Sequence, residues 1–351
     1  MYIEEKLHAF AKLGNYLRAV SDDQIPENLS DAQKRFGKLA RHPETKNPWF
    51  VSRHVSYALK AISDNLMPES LQEWIEPYKS GLEHNEPLKT IAVIMAGNIP
   101  MVGFHDFVSL LVSGNCFLGK LSSQDRYLLP ALSDVLVELE PKFKERIFFT
   151  EDVLKDFDAV IATGSNNTSR YFDYYFGKYP NLIRKNRNGV AVLTGNESFA
   201  ELNALGKDIL LYFGLGCRNV SKLFVPKDFS IDMLFEPLQE YDYVADNHKY
   251  RNNYDYFKSI YLVNRENFQD NGFILFRAMD QISTPVSVVH YEQYEKVEQV
   301  KDQLLDKENS IQCVVGRSGL SQYEIDFGQS QNPQLWDYAD GRDTLQFLLN
   351  L

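Results

Sequence analysis

The chain has 351 residues, of which 44% are hydrophobic and 24% are charged, and its formal net charge is -11. A chain of this length can bury a large core without disulfide bonds, and its length predicts two or three domains. Because nucleic-acid binding requires a basic face to neutralise phosphates, the acidic composition argues against a general nucleic-acid-binding protein.

The cysteines and the first residues place further limits on the function. Cys116, Cys217 and Cys313 are odd in number, widely spaced and without a CxxC or histidine partner motif, so we expect neither a disulfide framework nor a metal site. The first residues have neither the basic region nor the apolar run of a signal peptide, and no stretch reaches the length of a membrane span. These features predict a cytoplasmic protein with no membrane span.

Residues 1–87 have a helical pattern. Leu7, Phe10, Leu13 and Leu17 follow one another at three- and four-residue spacing, which is typical of an amphipathic helix. We interpret residues 1–87 as a helical N-terminal lead that packs on the following domain.

From residue 88 the pattern changes to short apolar strands that alternate with helices, which is typical of a parallel sheet with helical crossovers. Strands are predicted at 90–95, 117–121, 147–149 and 158–162, with helices at 101–112, at 128–139 and from about 167. The turn 96–100 follows the first of these strands. We assign residues 88–188 to one α/β domain.

A second α/β domain is predicted over residues 189–320, followed by a C-terminal tail over 321–351. Strands are predicted at 189–193, 221–225, 259–263, 273–276, 286–290 and 311–315, and helices at 198–213, 231–239 and 294–304. The polar, tyrosine-rich segment 241–256 is interpreted as a loop, either packed on a neighbouring domain or exposed to a partner.

Cys217 follows a glycine at the predicted turn between the helix 198–213 and the strand 221–225. Gly214 and Gly216 can adopt backbone conformations that are closed to other residues, and they allow a substrate carbonyl to approach the main chain. A thiolate at such a turn would be an exposed nucleophile. The alternative is a buried cysteine without chemistry, which is the commoner fate of an isolated cysteine.

Thr163-Gly164-Ser165 lies between a predicted strand and a predicted helix. Helix N-terminal amides carry partial positive charge, so this arrangement suits a phosphate group. The GxGxxG spacing is absent, and a helix cap is the alternative interpretation.

Four motifs follow one another along the chain: Asn98-Ile99-Pro100 after a predicted strand, Gly114-Asn115 followed by Lys120-Leu121-Ser122, Thr163-Gly164-Ser165, and Gly216-Cys217. In this order they resemble the aldehyde dehydrogenase superfamily. The separations are similar too, with 22 residues from Asn98 to Lys120 and 53 from Gly164 to Cys217. The short length, the helical lead and the ending Tyr338-Ala339-Asp340-Gly341-Arg342-Asp343 resemble the LuxC-type acyl-CoA reductases within that superfamily.

The resemblance implies an aldehyde dehydrogenase-like fold in which two Rossmann-like α/β domains face each other across a cleft. It implies that 88–188 bind a nicotinamide cofactor and that 189–320 carry the nucleophile Cys217. This cysteine would attack an acyl thioester, and the Asn98 side chain with the Cys217 main-chain N–H would form the oxyanion hole. The resemblance further implies a homo-oligomer whose substrate is acyl-CoA or an acyl-enzyme thioester.

The resemblance also assigns cofactor contacts. Lys120 and Ser122 would hold the adenosine ribose, and Gly164, Ser165 and the following helix start would contact the pyrophosphate. Without the family context, Asn98 is an ordinary cap and Lys120 a solvated charge at a strand end.

The first departure from the superfamily is a missing carboxylate. Aldehyde-oxidising members carry a glutamate before a Gly-Gly pair to activate water, whereas residues 182–189 here contain no acidic side chain. Without a positioned base, an acyl-Cys217 should persist until hydride arrives, so the resemblance implies reduction to an aldehyde. In the alternative, the site has decayed and the basic run Arg184-Lys185 faces solvent.

Two further departures concern the cofactor. No glutamate follows Lys120 in the run 120–124, which would leave space for a 2′-phosphate and favours NADPH, with NADH as the alternative. Gln281 stands where the superfamily has a glutamate that contacts the nicotinamide ribose, and an amide can still form bonds to a ribose. His105 and His290 are candidate proton donors, with a structural role as the favoured interpretation.

Two rival functions remain open at this stage. A hydrolytic aldehyde dehydrogenase would need a carboxylate from elsewhere in the chain, such as Glu197 or Glu201. A catalytically silent subunit would instead keep the fold in order to dock an acyl-transferring protein partner.

Overall fold

The computed structural model describes residues 1–24, 28–83, 88–164, 166–320 and 324–351. They form two compact units. Residues 1–185 together with 334–351 make the first unit, and residues 186–333 make the second unit. The chain therefore leaves the first unit once and returns to it at its C-terminal end.

The N-terminal part of the first unit is helical, as predicted. Its helices are α1 (Ile3–Ser21), α2 (Asp31–Arg41), α3 (Ser52–Asn65), α4 (Pro68–Ile75) and α5 (Lys79–Glu83). The predicted apolar face of α1 is buried, with Leu7 at 7% exposure and Phe10, Leu13 and Leu17 at 0%. These side chains share one hydrophobic core with the first sheet of this unit, so the helical lead covers that sheet.

The first unit contains a five-stranded parallel sheet within the described residues. Its elements are β1 (Thr90–Ile94), α6 (Phe104–Ser113), β2 (Cys116–Lys120), α7 (Leu128–Leu139), β3 (Ile147–Thr150), β4 (Ala159–Thr163), α8 (Asn166–Phe176) and β5 (Asn181–Arg184). The strand order is β3-β2-β1-β4-β5, and each neighbouring pair is parallel. The order reverses between β1 and β4, so their carboxyl ends border the crevice where open α/β sheets bind ligands.

The second unit contains a six-stranded sheet. Its elements are β6 (Asn188–Val192), α9 (Phe199–Leu210), β7 (Val220–Pro226), α10 (Phe235–Leu238), α11 (His248–Asn264), β8 (Gln269–Asp270), β9 (Leu275–Ala278), β10 (Val288–Tyr294), α12 (Val297–Asp306) and β11 (Ile311–Gly316). The strand order is β11-β6-β7-β10-β9-β8. Only β8 is antiparallel among the strands that the structure describes here, and it pairs with β9.

Two predictions for the second unit are wrong, because residues 259–263 form no strand and much of 241–256 is no loop. Both segments contribute to α11. Tyr250, Tyr254 and Tyr261 lie on its buried face, where the Tyr250 hydroxyl donates to the Phe273 carbonyl over 2.9 Å. Aromatic and β-branched residues favour strands locally, but packing at helical spacing against β9 decided the outcome.

The C-terminal segment ends in α13 (Thr344–Leu349), and Asp343 caps this helix by accepting from the Gln346 main-chain N–H over 2.8 Å. Trp74 Nε1 donates to the Tyr338 hydroxyl over 2.8 Å, and the Tyr78 hydroxyl donates to Asp343 over 2.5 Å. The ending that resembles LuxC-type reductases is therefore a structural part of the first unit.

No helix in the described part of the chain is long and apolar enough to cross a membrane. Among the same residues, no group of three or more His, Cys, Asp or Glu side chains could hold a metal ion.

Candidate active site

Cys217 lies on an exposed turn between α9 and β7. The helix ends at Leu210, earlier than predicted, because the chain turns sharply after it. Tyr212, Phe213 and Gly214 are consecutive left-handed residues with φ of 55°, 59° and 73°. This conformation costs about 1–2 kcal/mol for each non-glycine residue, and such strain is typical of functional sites.

Asn219 holds the turn that carries Cys217. Its side-chain oxygen accepts from the Gly216 main-chain N–H over 2.8 Å. Its amide nitrogen donates to the carbonyls of Asp208 and Leu211 over 3.0 and 2.9 Å. Asn219 is only 1% exposed, so this one side chain satisfies backbone groups on both sides of the strained residues.

Asp208 fastens a distant segment to the same turn. Its carboxylate accepts from the main-chain N–H groups of Gly328 and Ser330 over 2.6 and 2.9 Å. Arg218 Nε donates to the Ser330 carbonyl over 2.6 Å. Burial raises the pKa of the Asp208 carboxyl, while its N–H donors oppose that rise. Arg218, the residue after Cys217, is thus hydrogen-bonded to Ser330, which lies 112 residues further along the chain.

The other cysteine of the second unit has the opposite environment. Cys313 is buried on β11, and its Sγ donates to the Arg218 carbonyl over 3.7 Å. Burial raises the pKa of the Cys313 thiol to about 12. Because the thiolate is the reactive form of cysteine, Cys313 is unsuited to nucleophilic chemistry, whereas Cys217 is open to solvent.

Asn98 and Ser122 lie on adjoining loops in the first unit. Asn98 is half-buried in the predicted turn after β1. Gly97, with φ of 72°, approaches so closely that a Cβ there would lie 2.5 Å from the Ser122 Cβ. The Ser122 hydroxyl also donates to the Ala96 carbonyl over 2.9 Å. Only glycine at 97 permits this approach, which brings the Asn98 loop against the end of β2.

Lys120 lies at the carboxyl end of β2, opposite Ile94 of β1. Its ammonium donates to the carbonyls of Glu151 and Asp152. Arg126 also contacts Glu151, with its guanidinium 2.6 Å from the Glu151 carboxylate. The sequence interpretation missed Arg126, which brings a second cation to this sheet edge.

Gly164 follows β4, and a Cβ there would lie 2.8 Å from Phe172 Cε2. The adjacent Ser165 lies outside the described residues. The fold of the first unit therefore brings Asn98, Lys120, Ser122 and Gly164 to the carboxyl ends of β1, β2 and β4. This edge has the strand order, the close-packed glycines and the cations that suit a dinucleotide.

Gln281 lies in the second unit, between β9 and β10, with an exposed side chain. Its carbonyl oxygen lies 2.8 Å from His290 Nδ1, and His105 Nε2 in the first unit lies 2.8 Å from the Leu335 carbonyl. Burial lowers the pKa of both histidines. These contacts favour the structural interpretation of the two rings over a role as proton donors.

The basic run at 184–185 does not face solvent as a whole. Arg184 is buried on β5, a strand that the sequence interpretation missed. Its guanidinium makes two bonds of 2.8 Å to the Asp106 carboxylate and one of 2.8 Å to the Thr344 hydroxyl. The solvent-facing interpretation is wrong for Arg184, because β5 pairs with β4 and turns this side chain toward α6 and the C-terminal segment.

The two carboxylates named as alternative bases both have structural partners. Glu197 accepts from the Thr194 and Gly195 main-chain N–H groups over 2.5 and 3.0 Å. Glu201 forms a capping box with Ser198 at the start of α9 and lies 3.0 Å from Arg317. These bonds fix the Glu197 carboxylate in a turn and the Glu201 carboxylate in a helix cap.

A family model described as acyl-CoA reductase (LuxC) matches residues 58–233. This match spans 176 of the 351 residues, which is just over half of the chain. The chain belongs to the LuxC acyl-CoA reductase family. The match includes the Asn98, Lys120 and Gly164 motifs and the Cys217 turn, and it stops before Gln281. No curated protein matches this LuxC-family chain by sequence.

Solved structures of aldehyde dehydrogenases share the fold of this LuxC-family protein. Aldehyde dehydrogenase 21 from Physcomitrella patens is 12% identical, with a TM-score of 0.63 and coverage of 99% of this chain and 87% of its own. Betaine aldehyde dehydrogenase from Staphylococcus aureus is 14% identical, with a TM-score of 0.57 and coverage of 94% and 77%. The NADP-dependent glyceraldehyde-3-phosphate dehydrogenase from Bacillus halodurans is 12% identical, with a TM-score of 0.56 and coverage of 86% and 72%. The predicted aldehyde dehydrogenase-like α/β fold is confirmed.

Proposed function

We propose that this LuxC-family protein reduces an acyl thioester to an aldehyde with NADPH, through an acyl-Cys217 intermediate. The observation that carries the proposal is the exposed Cys217 on a strained turn that Asn219 fixes. A rigid turn that presents a thiol to solvent suits covalent catalysis better than a packing role.

The first step is acyl transfer from coenzyme A or an acyl-enzyme donor. The Cys217 thiolate attacks the thioester carbonyl carbon, forming a C–S bond and placing the π electrons on oxygen. Asn98 and the Cys217 main-chain N–H would stabilise that oxyanion, and each such donor lowers a barrier by about 3 kcal/mol. The tetrahedral intermediate then expels the donor thiolate and leaves acyl-Cys217.

The second step is reduction of this acyl-enzyme. A bound nicotinamide cofactor would supply the hydride to the acyl carbonyl carbon. Lys120, Ser122 and Gly164 would hold the cofactor at the carboxyl ends of β1, β2 and β4, and Gln281 would bond its nicotinamide ribose. The resulting hemithioacetal breaks its C–S bond, which releases the aldehyde and restores the Cys217 thiolate.

Reduction of acyl-Cys217 competes with its hydrolysis by water. The positions of the acidic side chains considered above as bases favour reduction. Residues 182–189 contain no acidic group, and both Glu197 and Glu201 are engaged by main-chain and cap hydrogen bonds. Water attack on acyl-Cys217 would therefore find no positioned base among these groups, and we expect it to be slow.

The preference for NADPH is supported by two cations at one sheet edge. Lys120 and Arg126 both contact Glu151, one through its carbonyl and the other through its carboxylate. A 2′-phosphate that replaced Glu151 as the partner of these cations would form charge-assisted hydrogen bonds. We expect kcat/KM to be higher with NADPH than with NADH, and a strong NADH preference would overturn this choice.

Intact-protein mass spectrometry tests the acyl-enzyme directly. The protein is incubated with a panel of acyl-CoAs without reductant, beside a Cys217→Ser variant. We expect the wild-type mass to rise by one acyl group, and peptide mapping should locate that group on Cys217. Addition of NADPH should then discharge it with release of aldehyde. No mass gain with any acyl-CoA, or a gain of equal size in the variant, would overturn the proposal.

Two assays test the rival functions. In the first, the protein receives an aldehyde and NADP with and without coenzyme A, and acid formed without coenzyme A would support a hydrolytic dehydrogenase. In the second, one sample is treated with an alkylating reagent to measure whether Cys217 reacts, and an untreated sample is assayed for acyl-CoA-dependent NADPH oxidation. An unreactive Cys217 with no NADPH oxidation would support a silent subunit that docks an acyl-transferring partner.

A further inference from the structure

Three consecutive carbonyls, those of residues 280–282, each accept a hydrogen bond from a side chain of the second-unit sheet. Lys222 Nζ donates to the first carbonyl over 2.8 Å. His290 Nδ1 lies 2.8 Å from the second, and Ser221 Oγ donates to the third over 2.6 Å. The segment lies between β9 and β10, so side chains take the place of a strand partner in fixing its path.

The three donors are buried. Ser221 is 7% exposed, Lys222 is 0% and His290 is 3%. Burying a lysine is costly unless its charge is paired, and the Glu292 carboxylate lies 2.5 Å from Lys222 Nζ. Gln303 Nε2 in turn donates to Glu292 over 2.8 Å. The strands β7 and β10 thus place three buried donors beneath one segment, and Lys222 is also linked through Glu292 to Gln303 on α12.

The protonation of the histidine follows from its partner. A carbonyl can only accept, so Nδ1 of His290 carries the proton in this bond. Burial lowers the pKa of His290, which favours the neutral ring. The donor therefore needs no charge to hold the Gln281 carbonyl.

The side chains of the segment point to different environments. Ile282 is 6% exposed and packs in a core cluster with Val190, Val192 and Phe224, whereas the Gln281 side chain is exposed. The backbone is thus fixed on both sides of Gln281 while its amide remains accessible. This combination is what a ligand-binding side chain on a rigid support requires.

The strand β7 connects this segment to the nucleophile. Ser221 and Lys222 lie on β7, which begins directly after Asn219. We infer that Ser221, Lys222 and His290 are positioning residues that fix Gln281 within the second unit that carries Cys217. The inference rests on the proposed function, in which the Gln281 amide bonds the nicotinamide ribose.

A double-mutant cycle on cofactor affinity tests the inference. NADPH binding is followed by its fluorescence in wild type, Ser221→Ala, Gln281→Ala and the double variant. We expect Ser221→Ala to raise the Kd for NADPH about fivefold to tenfold, the range expected for one misplaced hydrogen bond. In the Gln281→Ala background the same change should have no further effect, because its influence passes through Gln281.

The control is Ser259→Ala, which removes an exposed hydroxyl-to-carbonyl bond of the second unit, the 2.7 Å bond to Asp255 on α11. It should leave the Kd for NADPH at the wild-type value. Acyl-Cys217 formation without reductant is measured in the same variants. Ser221→Ala should retain the wild-type acylation rate, whereas general damage to the unit would lower it.

The failures of the two proposals are distinguishable. A wild type that binds NADPH but forms no acyl-Cys217 contradicts the proposed function, while the cycle still measures the coupling of Ser221 to Gln281. An unchanged Kd in Ser221→Ala would overturn the positioning inference. Additive effects in the double variant, or an equal loss of acylation, would overturn it as well.

Discussion

The Asn219 side-chain oxygen accepts a hydrogen bond from the Gly216 main-chain N–H over 2.8 Å, so the backbone next to Cys217 is fixed by a residue two positions beyond it. The same amide donates to the carbonyls of Asp208, Ile209 and Leu211. These bonds compensate for the strain of the left-handed residues before the turn, and they connect the end of α9 to the start of β7.

The first prediction concerns this bond. Asn219→Ala should slow acyl-Cys217 formation about tenfold or more, because the loss of the Gly216 partner lets the turn relax and misplaces the thiol. Asn203→Ala is the matched control, since Asn203 also donates to a carbonyl of the second unit, that of Pro237, over 2.9 Å. Acylation is followed by mass spectrometry, and circular dichroism verifies the fold. Equal rates in a folded Asn219→Ala and the control would contradict the assignment.

The second prediction compares the two thiols of the second unit. At pH 8 an alkylating reagent should modify Cys217 and leave Cys313 unmodified in the folded protein. A thiol with a pKa of about 12 is about one part in ten thousand thiolate at that pH. Peptide mapping after timed labelling identifies each site, and labelling in denaturant supplies the control in which Cys313 reacts. Early labelling of Cys313 in the folded protein would show that its environment is open.

The third prediction concerns the buried pair of Arg184 and Asp106 in the first unit. Asp106→Asn should lower the free energy of unfolding of this unit by about 3–5 kcal/mol, because it leaves the guanidinium charge buried without a counterion. All three tryptophans, Trp49, Trp74 and Trp336, lie in the first unit. Their fluorescence during urea unfolding therefore reports on this unit.

The matched variant is Thr344→Val, which removes one bond from the Arg184 guanidinium to a hydroxyl and leaves the Asp106 counterion in place. Because the donor is charged, the loss should cost about 1.5–3 kcal/mol. A milder effect of Asp106→Asn than of Thr344→Val would argue against a buried, paired charge.

The fourth prediction is a pH dependence in the first unit. Burial lowers the pKa of His54 to about 3, whereas the unfolded chain takes up this proton near pH 6.5. Between these values the unfolded state binds more protons, so the free energy of unfolding should fall by about 1.4 kcal/mol per pH unit on acidification. This contribution is fully present above pH 6.5 and is lost toward pH 3.

Replacement of the ring tests this sign. Relative to wild type, His54→Gln should gain about 2–3 kcal/mol of unfolding free energy between pH 6.5 and pH 4.5, whatever its stability at neutral pH. His8→Gln, at an exposed position of α1, is the control. Parallel pH profiles for wild type and His54→Gln would show that His54 contributes no such proton uptake.

Local patterns in the sequence were sufficient to predict much of the fold. The apolar runs of β1, β4 and β6 predicted buried parallel strands, and the spacing of Leu7, Phe10, Leu13 and Leu17 predicted the buried face of α1. The glycines around Cys217 predicted an exposed turn. These predictions succeeded because backbone conformation and strand burial depend mainly on neighbouring residues.

Other features depended on residues far apart in the chain. Propensity favoured a strand at 259–263, but packing of tyrosines at helical spacing made it part of α11. Two polar residues, Ser221 and Lys222, interrupt an apolar strand, yet nothing nearby indicated the carbonyls at 280–282 as their partners.

By itself, the sequence determined the alternation of strands and helices, the order of the motifs and the glycine turn that exposes Cys217. The tertiary structure decided which side chains hold these elements and this turn in place. Arg184 bonds Asp106, which is 78 residues away in the chain, and Asp208 bonds the Ser330 main-chain N–H, which is 122 residues away. Such partners are selected by burial, because a polar group that loses water must find a hydrogen bond wherever the fold brings one within reach.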